Sequence, residues 1–311
     1  GMATVVVCMM FGTISGSAVA AAAALTGILI PEMEKRKYPK ALSCSIMSSS
    51  STLAIIIPPS SALILYGVAA NVSISALYKG AVIPGLVSGG LLMVVAYYFA
   101  NKLDLPVENN FSIKRLLKSI VEGWGALLIP VIIFVGIFGG YATATEAAAI
   151  SVIVALLAGW REIDMQKLPK MLIRTAVSTA VVTFMVAGSS ALVTVMTYSR
   201  TPQAVTSFII SLTSNKYLIL LMLNALLFVL GMILHGNAIL LLTVPLALPI
   251  MHELGVNPIH FGILMALNIG IGQQTPPVAS VLLTVCSLAK IDIPTVWVYL
   301  KWFLLAAIVG L

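Results

Sequence analysis

Thr52-Leu53-Ala54-Ile55-Ile56-Ile57-Pro58-Pro59-Ser60-Ser61 is a membrane-grade apolar run cut by a double proline, and the chain contains the arrangement twice. Upstream of it, Ser15-Gly16-Ser17 interrupts one hydrophobic stretch and Pro31 closes that stretch. In the second half His235-Gly236-Asn237 interrupts another, Pro249 closes it, and Pro276-Pro277 supplies the second double proline. The separations match at 27 residues each, from Pro31 to Pro58 and from Pro249 to Pro276. Proline removes its own N–H and clashes with the preceding turn, so each pair breaks a helix. Helix breakers at corresponding positions of two apolar halves point to the binding site of a secondary carrier.

Composition agrees. The 311 residues are 60% hydrophobic and 9% charged, with a mean hydropathy of +1.10. Soluble domains carry about 25% charged residues, so this chain is expected to be an all-α polytopic membrane protein in a lipid bilayer. The net charge of +7 does not imply nucleic acid. The basic residues fall in short clusters between apolar spans: Lys35, Arg36, Lys37, Lys40; Lys102, Lys114, Arg115, Lys118; Arg161, Lys167, Lys170, Arg174. That distribution is the positive-inside signal. Cys8, Cys44 and Cys286 are isolated in or beside apolar segments and predict core packing rather than metal binding or disulfides.

The spacing predicts a topology. Segments 1–14 and 18–31, about 21 Å long each, are too short to cross a hydrocarbon core of about 30 Å. They are expected to form a re-entrant hairpin around Ser15-Gly16-Ser17, opening on the cytoplasmic side. A broken helix follows at 41–70, then a short amphipathic piece at 72–80 and a return helix at 81–100. Loops are expected at 101–119 and 161–174, with helices at 122–140, 147–160 and 175–198 between and after them. The segment 200–216 lies outside. Segments 217–234 and 238–250 form the second hairpin, 259–289 the second broken helix, and 295–311 the start of another span. The halves then run in opposite directions, as an inverted repeat does. Residues 1–80 and 217–294 are expected to be transport elements, 81–216 connecting scaffold, and 295–311 the start of the final helix. Because the chain opens within one apolar helix and stops within another, it is expected to be part of a longer protein.

Broken helices leave backbone groups without partners, at a cost of several kcal/mol each in lipid. Freed carbonyls and hydroxyls suit a hard cation, and helix N-termini suit an anion. Gly and Ser also permit close packing, and Pro also merely kinks, but two matched sets favour a site. The ionisable residues narrow the coupling ion. Segments 1–31, 41–78 and 81–101 contain no Asp, Glu, Lys, Arg or His. Proton-driven carriers use buried carboxylate or histidine relays, and His235 is the sole intramembrane candidate, so Na⁺ is expected over H⁺. An intramembrane hydrolase using Ser15 and His235 lacks the G-x-S-x-G elbow, since Thr13 and Ser17 replace its glycines. A passive channel lacks any ring of charges. Thr143 with Glu146 fits a helix capping box, and Trp124, Trp160, Trp297 and Trp302 fit interfacial anchors.

These motifs together resemble the large membrane subunit of TRAP transporters, the DctM-like permeases. Ser15-Gly16-Ser17-Ala18-Val19-Ala20 looks like that family's first hairpin tip. Ile57-Pro58-Pro59-Ser60 with Tyr66-Gly67 looks like its first broken helix, and Ala81 to Leu86 like the following span. Thr143 to Ala149 is similar to its T-P-T-E-A motif. Asn257 to Gly262, Asn268, Gly270, Gly272 and Thr275-Pro276-Pro277-Val278 resemble its second broken helix. Four positions depart from the pattern: Ala21 and His235 stand where Asp is common, Ala144 where Pro is, and Ala279 where Gly is.

The resemblance implies a Na⁺-coupled, elevator-type importer of small organic anions such as dicarboxylates, sialic acid or sugar acids. It implies a bacterial inner-membrane location, a small four-helix membrane partner and a periplasmic substrate-binding protein, with no organic cofactor. Residue by residue it puts one Na⁺ site among Ser15, Gly16, Ser17, Ser51 and Pro58. The other falls among Gly236, Asn237, Gly270, Gly272 and Thr275. Candidate substrate contacts are Ser17, Ser60, Asn237, Gln274 and Thr275. A proton-coupled carrier of similar architecture is the alternative.

Overall fold

A computed structural model describes residues 1–106, 113–160, 166–213 and 215–311. Among the described residues the secondary structure is helical throughout, and the chain divides into two compact units, 1–106 with 196–311, and 107–195.

In the first unit, α1 (Met2–Ser15) and α2 (Ala18–Lys35) form a helical hairpin. Gly16 turns the chain with φ 61° and ψ 11°, the left-handed region where a side chain is disfavoured. Ser17 starts α2 by accepting a hydrogen bond from the Ala20 N–H. Helix α2 runs on past Pro31 to Lys35, so the expected stop at Pro31 is corrected. The first broken helix comprises α3 (Lys40–Ser51), a 3₁₀ turn (Thr52–Ile55), the break at 56–60, and α4 (Ser61–Ala70). Both double prolines, Pro58-Pro59 and Pro276-Pro277, contain cis peptide bonds.

Helix α3 is unusual in composition. Ser43, Ser45, Ser48, Ser49, Ser50 and Ser51 are all buried. Serine is neutral to unfavourable within a helix, partly because its hydroxyl competes for backbone carbonyls. Here several hydroxyls use that competition locally: Ser43 donates to Pro39 O, Ser45 to Ala41 O, and Ser51 to Met47 O. The small side chains let other helices approach α3 closely, as small residues do between membrane helices. Helices α1 and α2 pack against it, and so do two helices from the far end of the chain described below.

Helix α5 (Ile74–Lys102) is a single 29-residue helix capped by Ser73. The separate piece expected at 72–80 and the span at 81–100 are therefore one element, with Pro84 inside it. The second unit holds α6 (Ile113–Glu122), α7 (Trp124–Phe138), α8 (Ala144–Ala158) and α9 (Leu168–Tyr198). The loops expected at 101–119 and 161–174 are thus partly helical: α6 occupies the end of the first, and α9 begins inside the second. Helix α8 opens on the expected capping box. The Glu146 carboxylate accepts from the Thr143 N–H at 2.8 Å, while Thr143 Oγ1 accepts from the Glu146 N–H at 3.3 Å.

Returning to the first unit, the segment expected outside contains α10 (Thr201–Leu212). The second hairpin is α11 (Lys216–Ile233) and α12 (Gly236–Glu253). Its interruption is shorter than expected, Leu234 and His235 only, because Gly236 and Asn237 already belong to α12. Helix α12 also continues through Pro245 and Pro249. The second broken helix is α13 (Pro258–Gly272), a break at 273–279 and α14 (Ser280–Ala289), followed by α15 (Ile293–Val309). Helices α14 and α15 are the two that pack on α3.

Helices α5, α9, α11 and α12 are long and apolar enough to cross a membrane. The 18-residue arms α2, α11 and α12 reach about 27 Å, so the argument from short arms holds only for α1. Cys8, Cys44 and Cys286 are free and buried, in line with core packing.

Candidate functional site

The first hairpin tip sits directly on the first break. The Gly16 carbonyl accepts two hydrogen bonds from Ser61, from its backbone N–H at 3.2 Å and its hydroxyl at 2.8 Å. A Cβ placed on Gly16 would lie 2.9 Å from the Pro59 carbonyl oxygen. Around the turn, Ser15 Oγ donates to Ser17 O at 3.0 Å and accepts from the Ser17 N–H at 3.2 Å. Ser60 is fully buried; its hydroxyl donates to Ile55 O and accepts from the Leu63 N–H, capping α4. The starts of α2 and α4 therefore meet at one place, each bringing the partial positive charge of a helix N-terminus, with some of its first-turn N–H groups already bonded to Ser17, Ser60 and Gly16.

The second tip meets the second break in a related way. Gly236 lies so close to the Gln273 amide and the Ile269 side chain that any Cβ there would overlap them. Behind the tip, the backbones of Gly231 on α11 and Gly272 on α13 touch, with a Cβ on Gly231 falling 2.9 Å from Gly272 Cα. One turn further, Asn268 Nδ2 donates to Asn224 Oδ1 at 2.6 Å and to Leu264 O at 2.9 Å. Within the break, Val278 N–H donates to Met232 O and Val281 N–H to Gln273 O, both at 3.0 Å. Thr275 is buried and donates to Ile271 O at 2.8 Å. The α14 start is left-handed at Ala279, φ 47°.

The two halves are joined at their breaks. Ser49 Oγ on α3 donates to Gln274 Oε1 at 2.6 Å, in full burial. Gly270 faces Thr52, whose carbonyl oxygen lies 3.6 Å from where a Cβ would stand. Ser48 Oγ, Ser50 Oγ and Gln274 Nε2 are buried without a hydrogen-bond partner in the protein, so polar capacity remains on α3 and in the second break.

Both tips line one cavity of about 50 Å³. Gly16, Ser17 and Val19 come from the first hairpin, Ser61 and Ala62 from α4, His235, Gly236 and Asn237 from the second hairpin, Ile269 from α13 and Gln273 from the start of the second break. Three helix starts (α2, α4 and α12) thus converge on it. Of the sequence candidates, Gly16, Ser17, Gly236 and Asn237 line this cavity. Ser15 points its hydroxyl into its own turn, Ser51 is hydrogen bonded within α3, and Pro58 is buried at the first break. Gly270 and Gly272 face the first broken helix and α11, while Gln274 faces α3 and Thr275 bonds back into α13.

Sequence reasoning missed Ser61 and Asn224. Nothing local marks Ser61 as the partner of a carbonyl 45 positions away. Asn224 carried a usable signal, since it is the one amide in the apolar run 217–234.

The family model described as "Tripartite ATP-independent periplasmic transporter, DctM component" matches residues 1–311. The chain is 36% identical over 281 residues to the C4-dicarboxylate TRAP transporter large permease protein DctM of Pseudomonas aeruginosa, covering 89% of this chain and 66% of that protein. It is 34% identical over 298 residues to the sialic acid TRAP transporter large permease protein SiaM of Vibrio cholerae, covering 95% and 70%. Against the isethionate TRAP transporter permease protein DctMQ of Oleidesulfovibrio alaskensis it is 35% identical over 281 residues, covering 89% and 44%. The chain therefore spans between 44% and 70% of the length of these relatives. They are transport proteins and not enzymes, which removes the hydrolase reading.

Proposed function

This chain belongs to the DctM component family of tripartite ATP-independent periplasmic transporters, and from that premise we propose that it moves small organic anions across a bacterial inner membrane by sodium symport. The observation that carries the reading is the shared cavity, on which both hairpin tips and three helix starts converge. Helix starts attract anions through free N–H groups and the macrodipole. The Ser17 hydroxyl, the Asn237 amide and the Gln273 amide add neutral hydrogen-bonding groups of the kind that orient a carboxylate or sulfonate. The relatives' names point the same way, since C4-dicarboxylates, sialic acid and isethionate are organic anions.

Sodium, the second cargo, would bind where the breaks expose oxygen. The donor set fits a hard cation: carbonyls of 56–60 and 273–279 outside regular helix, with the Ser15, Ser17 and Thr275 hydroxyls nearby in sequence. Gly16 to Ser17 with the first break would hold one ion, and the Gly236 tip with the Gly272–Thr275 segment the other. Occupation of both would neutralise charge and fasten each tip to its break, allowing the loaded hairpins to move together.

In this reading the hairpins are re-entrant and, with the broken helices, form the moving body of an elevator, residues 1–80 and 217–294. The remaining helices act as scaffold. A small membrane subunit and a periplasmic binding protein complete the transporter, the latter delivering the substrate.

The test is uptake by the complete system reconstituted in vesicles. Ser17→Ala and Thr275→Ala should each raise the half-saturating Na⁺ concentration by about tenfold, equivalent to losing about 1.4 kcal/mol of ligand interaction. Unchanged sodium dependence in both variants rejects the site assignment. Uptake driven equally well by a pH gradient without sodium supports proton coupling instead.

A further inference from the structure

The second unit carries an amphipathic element that belongs to neither hairpin and neither broken helix. Helix α6 reads Ile-Lys-Arg-Leu-Leu-Lys-Ser-Ile-Val-Glu over 113–122. Its apolar residues fall at 113, 116, 117, 120 and 121, the i, i+3, i+4, i+7, i+8 stripe of a one-sided helix. In a water-soluble protein that stripe would face a core. Here Ile113, Leu117, Ile120 and Val121 are 63%, 56%, 43% and 70% exposed. The exposed Lys114 and Lys118 sit among them in sequence, and Lys118 Nζ lies 3.7 Å from Glu122 Oε1, a surface pair. One residue, Gly123, separates α6 from α7, which opens on the exposed Trp124.

We propose that α6 is an interfacial helix that docks on an anionic lipid surface. Three observations select lipid over protein. Membrane helices that pack on other helices present small residues that allow backbones to approach, whereas this stripe is made of branched aliphatic side chains. Basic residues flanking such a stripe match the charge of anionic headgroups. Trp124 immediately beyond the helix is the residue type that settles at headgroup level, which puts α6 at the depth where an apolar face can enter the acyl boundary. The helix would hold the start of α7 at a fixed depth, and so anchor the second unit while the hairpins move. The proposal rests on the chain being embedded in a membrane.

The experiment uses the full chain in lipid nanodiscs, with an environment-sensitive fluorophore on Ile120→Cys and, separately, on Val94→Cys, an exposed position of α5. The three native cysteines are buried and are left unlabelled under native conditions. Lipids carrying a shallow nitroxide quencher should quench the Ile120 label in phosphatidylglycerol and protect it from aqueous iodide. Lys114→Gln with Lys118→Gln should weaken that preference for phosphatidylglycerol over phosphatidylcholine by about fivefold per lysine, the equivalent of about 1 kcal/mol each. An Ile120 label open to iodide while the Val94 label is lipid-quenched overturns the proposal and leaves the membrane reading standing. If neither label meets lipid, both fail. Protection of Ile120 that appears only when a partner membrane subunit is added makes α6 a protein-docking helix, and also overturns the proposal.

Discussion

At two positions the backbone adopts the left-handed conformation beside a break, and the residue types there differ. Gly16 at the first tip (φ 61°) has no side chain to clash, whereas Ala279 at the second break (φ 47°) has one. A left-handed L-residue costs roughly 1–2 kcal/mol. Ala279→Gly should therefore stabilise the protein by about 1 kcal/mol in thermal unfolding in detergent, after the extra chain entropy of glycine is offset. Gly16→Ala should move stability the other way, by about 2 kcal/mol or more, because the new methyl meets the Pro59 carbonyl as well. The same unfolding assay reads both, and equal shifts for the two variants would contradict this account. Gly236→Ala sits between them: its backbone is unstrained, but the methyl overlaps Ile269 and the Gln273 amide. Side chains yield more readily than backbone, so it should cost about 1–3 kcal/mol of overpacking and lower substrate affinity by narrowing the cavity. At this scale Gly16, Ser17, Gly236 and Asn237 of the cavity lining were legible, because polar or small residues in apolar sequence announce themselves. The pairings were not legible. That Gly16 O would meet Ser61, and Ser49 would meet Gln274, depends on contacts 45 and 225 positions long.

Among elements, α11 and α13 are closely coupled. Two features fasten them: the glycine backbone contact of Gly231 with Gly272, and the Asn224–Asn268 amide pair. Hydrogen bonds between membrane helices contribute about 0.6 kcal/mol on average and up to about 1.7. A double-mutant cycle with Asn224→Leu and Asn268→Leu should give a coupling energy in that range, measured by unfolding in detergent or bicelles. Coupling near zero would mean that each amide finds another partner when the pair is broken. The arm α12 packs on α4 and α10 as well as on α13. The second hairpin therefore has one arm fixed to its own broken helix and one arm shared between both broken helices. Element existence was readable from apolar runs, their interruptions and the capping box at Thr143 and Glu146. Two boundaries were not, for the same reason: the expected stops Pro31 and Pro249 sit inside helices, as Pro84 and Pro245 also do. Proline forfeits one N–H, and neighbouring helices can compensate for the loss, so only the double prolines broke the chain. Helices α6 and α10 escaped notice because basic or external segments were expected to be loops.

Across the whole molecule, the inverted-repeat reading linked two sets of breaks, and the described first unit brings both hairpin tips, the start of α4 and Gln273 to one cavity. What sequence alone could not supply was that the two halves hold each other together. Helix α3, with six buried serines, is enclosed by α1 and α2 on one hand and by α14 and α15 on the other. Its hydroxyls reach the end of the chain: Ser49 to Gln274, and Ser45 to the carbonyl of Val296. That arrangement has a cost in time. With synthesis at about 5–20 residues per second, the 225 positions between Ser49 and Gln274 keep α3 waiting about 10–45 s for its partners. Throughout that interval a serine-rich helix must stand in the bilayer with its closing helices still unmade. A chain stopped after α5, at residue 106, should consequently be short-lived in cells, while co-expression of residues 196–311 should lengthen its half-life in a pulse-chase experiment. The ribosome's pace, as much as the bilayer, then sets how long the newborn first half must survive on borrowed contacts.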